Sequence, residues 1–73
     1  MENKHLKLKN RLREYRQEKG LTQQELAEMV GASRNTIVAI ENRKFCPSAY
    51  LAICLCEVFK CKFEDMFFLG KSE

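Results

Sequence analysis

Arg34 and Asn35 stand side by side in this sequence and carry the two groups best matched to the edges of DNA bases. A guanidinium can donate as a fork to guanine O6 and N7, and a carboxamide can bond adenine N6 and N7 in the same bidentate way. Further on, Asn42-Arg43-Lys44 offers amide and cationic donors suited to a sugar-phosphate backbone, with a solvated loop as the bland alternative. Ser33 and Thr36 carry hydroxyls that can reach phosphate, although Ser33 has a competing use as a helix cap. Other chemistry is sparse. The four cysteines at 46, 54, 56 and 61 include no C-x-x-C pair, and the single histidine, His5, is remote in sequence. Cys54 and Cys56, two residues apart on a predicted helix, point roughly 200° from each other and cannot hold one ion together. They read as free thiols, with metal binding or redox sensing as the minority reading. No catalytic base lies beside a nucleophile and there is no phosphate loop, so neither an enzyme nor a cofactor is expected.

Two predicted helices position the candidate readers. Thr22 is a good N-cap, with Glu25 three residues on to complete a capping box. Leu26, Ala27 and Val30 then repeat at helical spacing, and Gly31 can enter the left-handed region that stops a helix. Ser33 caps a second helix on which Ile37 and Ile40 face inward, leaving Arg34, Asn35, Val38 and Ala39 outward. The helices run approximately over 23–30 and 34–42. Such a pair, closed by a tight glycine-containing turn, is a helix-turn-helix over about 22–42, whose second helix can enter the major groove.

The run LTQQELAEMVGASRNTIVAIENRKFCPS resembles the phage Cro/C1 repressor type of helix-turn-helix, often called XRE-like. The likeness extends from near Asn10 to near Phe67 and includes the T-Q-x-E-L-A start, the G-A-S-R-x-T-I turn and the I-E-N-x-K-x-x-P-S exit. It implies a mainly α, lambda-repressor-like domain of five helices, in some short members flanked by a two-stranded antiparallel ribbon of the termini that serves as a dimer interface. It further implies sequence-specific binding of double-stranded DNA by a transcriptional regulator, a repressor above all. Base contacts fall on the positions of Arg34, Asn35 and Ala39, the last offering only a methyl for a thymine. Gln23 matches a glutamine that bonds phosphate and braces the first reading side chain. Glu41 matches an acid paired with a base in the first helix, here Arg16.

The remaining chain fits that frame. Met1 to His5 is polar and expected to fray. Leu6 to Lys9 alternates apolar and charged residues, as a short strand does, and Asn10 can cap a helix from Arg11 to about Lys19. Arg13 is expected to pair with Gln17 one turn on. Pro47 ends any continuation of the second motif helix, and Ser48 caps a fourth helix reaching about Phe59. Phe63 to Met66 reads as a single helical turn. Met66 to Leu69, ended by Gly70, is long enough for a strand that pairs with Leu6 to Lys9.

Seventy-three residues make one small domain, 1–73. The net charge is +3, and residues 1–20 hold seven Lys or Arg against three Glu, a surplus that attracts phosphate. No apolar run approaches the roughly 18 residues of a membrane span, so a cytoplasmic location is expected. One such domain makes few base contacts, and a homodimer reading inverted half-sites doubles them. The surplus apolar residues Ile53, Cys54, Val58, Phe67, Phe68 and Leu69 mark the expected contact, and no small-molecule effector is evident. The alternative use of the fold is a protein-interaction module or antagonist of another regulator that has given up DNA reading.

Overall fold

In the computed structural model, which describes residues 6–71, strand β1 (Leu6–Asn10) leads into five helices and strand β2 (Phe67–Lys71) returns to pair with it. The helices are α1 (Leu12–Glu18), α2 (Gln23–Val30), α3 (Arg34–Glu41), α4 (Ala49–Phe59) and the single turn α5 (Phe63–Met66). The polar lead-in Met1 to His5 lies outside the described residues.

Local chemistry sets most of these boundaries. Thr22 and Glu25 form the capping box: Thr22 Oγ1 accepts from the Glu25 N–H at 3.0 Å, and Glu25 Oε1 accepts from the Thr22 N–H at 2.8 Å. Gly31 takes φ 70° and lets its own N–H and that of Ala32 satisfy carbonyls at the end of α2. Ser33 and Ser48 accept from the N–H of Thr36 and Leu51 at 3.1 and 3.2 Å, opening α3 and α4.

The core is one cluster fed by every helix. Leu12, Leu26, Ile37, Ile40, Leu55 and Met66 are fully buried, with Ala27, Ala52, Cys56, Phe59 and Phe67 around them. Leu12 comes from α1, Leu26 from α2, Ile37 and Ile40 from α3, so the inward faces of the two motif helices are fixed by burial. At about 25 cal/mol per Å² of apolar area, each such side chain contributes on the order of 2 kcal/mol. Rotating α3 to expose Ile37 is therefore costly, and its outer face is held outward.

The termini close the fold as a two-stranded antiparallel ribbon with Leu8 opposite Leu69 and Asn10 opposite Phe67. The ribbon is longer than the sequence signals imply. Asn10 is not the N-cap of α1 but the last residue of β1; Arg11 occupies the cap position without a side-chain bond. Asn10 still serves the helix, since its Oδ1 accepts from the Leu12 N–H at 3.1 Å, and its Nδ2 donates to the Ile40 carbonyl at 3.0 Å. That second bond ties the ribbon to the end of α3. Gly70 does not end β2 but lies within it, because the Lys9 side chain crosses the ribbon there: a Cβ on Gly70 would stand 2.7 Å from Lys9 Cδ.

Candidate nucleic-acid interface

Arg34 and Asn35 are both exposed in the first turn of α3, which contains no acidic residue. The positive end of the helix dipole lies at the same place and adds to the attraction for an anionic partner. Thr36 is half-buried, its hydroxyl 2.9 Å from that of Ser33, so the two expected phosphate donors bond one another at the cap. Val38 and Ala39 are half-buried as well. The most outward functional groups of α3 are therefore Arg34 and Asn35, with the Ala39 methyl one turn behind.

Beneath α3 lies a buried carboxylate. Glu41 is the single buried charged residue among those described, and its side chain is fully excluded from solvent. Arg16 donates from Nε to Oε2 at 2.6 Å and from Nη2 to Oε1 at 3.2 Å. Gln23 Nε2 donates to Oε1 at 3.2 Å, and Arg13 Nε does so at 3.4 Å. Burial pushes the Glu41 carboxyl up, but the bonds from Arg16 and Gln23, the Arg16 charge and the Arg13 bond outweigh it and hold the group below its ordinary value. Arg16 also donates Nη1 to the Leu21 carbonyl at 2.8 Å. One guanidinium thus joins α1, the turn before α2 and the end of α3.

This network revises the roles of three side chains. Arg13 does not pair with Gln17; it bonds Glu41 and, through Nη2, Asn42 Oδ1 at 2.9 Å. Asn42 keeps its amide donors for another acceptor. Gln23 commits its amide nitrogen to Glu41, so it braces the base of α3. Sequence spacing offered one clue to Arg13, which lies three residues before Arg16 and shares its helix face; the Gln23 bond spans 18 positions and had no local signal.

The exit from α3 carries strain. Arg43 has φ 61°, its N–H bonds the Ile40 carbonyl and the Lys44 N–H bonds the Ala39 carbonyl, each at 2.9 Å. This is the Schellman arrangement that usually places glycine at the left-handed position. A side chain there costs on the order of 1–2 kcal/mol, and an arginine occupies it. Asn42, Arg43 and Lys44 are all exposed, forming a polar corner beside α3.

The family model for the helix-turn-helix matches residues 12–66. The chain belongs to the Cro/C1-type helix-turn-helix family. An uncharacterized HTH-type transcriptional regulator of Archaeoglobus fulgidus is 42% identical over 66 residues, covering 90% of this chain and 94% of its own. One from Methanocaldococcus jannaschii is 44% identical over 66 residues, covering 90% and 100%, and one from Bacillus subtilis is 42% identical over 62 residues, covering 85% and 94%. Among solved structures, the clp gene regulator ClgR of Corynebacterium glutamicum aligns with TM-score 0.69 and 30% identity over 74% of this chain and 57% of that one. The transcriptional regulator VanUg shares the fold over 99% of this chain and 96% of its own, with TM-score 0.78 and 18% identity. As a Cro/C1-type protein this chain is a DNA-binding regulator of transcription and not an enzyme.

The expected dimer residues are divided by the fold. Ile53 and Leu69 are more than half exposed, while Cys54, Val58 and Phe68 are half-buried. Phe68 lies under the Arg11 guanidinium, 4.5 Å from its ring centre. Phe67 is a correction: it is a core residue, 3% exposed, because it directly follows Met66 at the end of α5 and stacks on Phe63 there. Two further exposed apolar side chains, Leu8 and Phe63, join Ile53 in lining an apolar groove of about 440 Å³. The cysteines are free thiols; that of Cys56 is pushed up to about 11 by burial first and by neighbouring Cys61 next, so it stays a neutral core group.

Proposed function

We propose that this chain, 1–73, acts as one cytoplasmic DNA-binding unit, a repressor that occupies an inverted-repeat operator as a homodimer. The α3 helix of each protomer enters the major groove. Arg34 reads guanine, Asn35 reads adenine, and Ala39 contacts a thymine methyl. Ser33, Thr36, Asn42, Arg43 and Lys44 hold phosphates on either side, and Gln23 braces the C-terminal end of α3 through Glu41. The observation that carries this reading is the joint exposure of Arg34 and Asn35 at the acid-free start of a helix braced from below by the Glu41 network.

Dimerisation is supported by exposed apolar surface. Leu6, Leu8, Ile53, Phe63 and Leu69 are each between 37% and 58% exposed, an apolar excess that a second copy would cover. Repression requires nothing beyond occupancy of the site, which is why it is proposed over activation. Selection from a random DNA pool, followed by sedimentation of the protein with the enriched duplex, tests the reading. An inverted repeat bound by two chains supports it. No enriched sequence would overturn it and direct attention to a protein partner on the apolar surface.

A further inference from the structure

The terminal ribbon has only two strands, so each keeps one edge without a neighbouring strand. One bond just beyond β1 fixes which of its backbone groups lie on that edge. The Arg11 N–H donates to the Met66 carbonyl at 2.9 Å, which continues the β1–β2 register as a hydrogen-bonded pair. Alternation then directs the N–H and C=O groups of Lys7 and Lys9 at β2 and turns those of Leu6, Leu8 and Asn10 away from it. The outward groups have no backbone partner among the described residues. A groove of about 610 Å³ runs along this edge: Lys7, Leu8, Lys9 and Asn10 all line it although their side chains alternate between the ribbon faces, and the 42–47 loop lines it as well.

The two faces beside the edge differ in chemistry. Leu6 and Leu8 share one with Leu69, while Lys7 and Lys9 share the other with Phe68 and Gly70. Neither strand contains an acid to face the lysines, and no acid lines the groove. A strand added to β1 therefore needs apolar side chains beside the leucines and, at the alternate positions, carboxylates beside the lysines. A second β1 does not meet that need. Paired antiparallel about Leu8, it would set Lys7 against Lys9 twice, at the closer spacing of a non-hydrogen-bonded pair. A nucleic-acid strand does not meet it either, because the outward carbonyls are acceptors and repel phosphate. We infer that the free edge of β1 takes up an extended segment of another protein, one that alternates acidic and apolar residues, as a third strand of the ribbon. Backbone bonds to Leu8 and Asn10 hold the segment, and Lys7 and Lys9 select its charge. This use of the edge is independent of base reading by α3.

The test titrates isotope-labelled protein with a synthetic octapeptide alternating glutamate and valine, at millimolar concentration, and follows the amide NMR shifts. The Leu8 and Asn10 amides should move most, since those of Lys7 and Lys9 already face β2. An octapeptide alternating lysine and valine should leave them in place, and Lys7→Glu/Lys9→Glu should reverse the preference between the two peptides. Leu8→Pro removes an outward N–H that the ribbon does not use, at a position where an edge strand accepts proline. It should weaken binding about tenfold or more. If a thermal melt shows that Leu8→Pro fails to fold, the charge reversal decides alone. Equal binding of both peptides, no shift at Leu8 and Asn10, or undiminished binding by a folded Leu8→Pro overturns the inference. A single-stranded oligonucleotide that moves the same amides overturns it too, by assigning the edge to nucleic acid. Each of these outcomes leaves base reading by Arg34 and Asn35 untouched.

Discussion

Replacing Arg43 by glycine should make the protein more stable and a poorer DNA binder at once. The side chain at φ 61° costs about 1–2 kcal/mol relative to a residue without a Cβ. Glycine gives back about 0.4–1 kcal/mol through the extra freedom of the unfolded chain. The net gain is just under about 1 kcal/mol, a rise in Tm of roughly 3–6 °C for a domain of this size. The backbone bonds of the Schellman turn are unaffected, since neither involves a side chain. Removing the guanidinium deletes one phosphate contact, and the salt slope of operator binding should become shallower by about 0.9. Lys60, at φ 54° after α4, is the matched control. Lys60→Gly should give a similar gain in Tm with no change in salt slope. Thermal unfolding by circular dichroism and salt-titrated binding measure both quantities. If Arg43→Gly leaves Tm unchanged while Lys60→Gly raises it, the strain argument at Arg43 is wrong. If Arg43→Gly raises Tm and leaves the slope unchanged, phosphate binding is not what keeps an arginine there.

Further outcomes follow from the buried acid and the apolar surface. Glu41→Gln leaves Arg16 largely buried beside a neutral group and should cost about 3 kcal/mol. That is a large share of the roughly 4–11 kcal/mol available to a chain of this length, and a denaturant melt would show the midpoint fall. The folded carboxyl of Glu41 lies below its unfolded value of about 4.3. Its contribution is therefore complete above that pH and lost as pH falls through the folded value; stability measured below about pH 4 should fall less steeply in Glu41→Gln than in the wild type. Ile53→Glu and Leu69→Glu, both at exposed positions, should yield folded monomers by sedimentation. A dimer that survives both substitutions places the contact elsewhere.

The sequence signals that proved most legible were those whose physics is local. The Thr22 capping box, the glycine turn at Gly31 and the Ser33 and Ser48 caps act over three or four residues, and the observed α2, α3 and α4 follow them closely. The Arg16–Glu41 pair came from the family pattern and forms at 2.6 Å. Long-range geometry was less accessible. Asn10 carries a sound capping side chain, yet strand pairing with Phe67 claims its backbone, and the cap bond is made from one position earlier. Gly70 reads as a stop because glycine disfavours strands, whereas here it makes room for Lys9 from the other strand. Phe67 looked like surplus surface because its burial comes from the close of α5, where it stacks on Phe63, and not from strand alternation, which gives the exposed Leu69 the same phase.

Base-by-base specificity of Arg34→Ala and Asn35→Ala on the selected operator tests the central claim most directly. Each variant should lose discrimination at one base pair per half-site, a guanine position for Arg34 and an adenine position for Asn35, by about 1–3 kcal/mol, with the rest of the site still preferred. Variants that weaken all sequences equally, or that keep the wild-type preference at every position, would contradict the assignment of base reading to the first turn of α3.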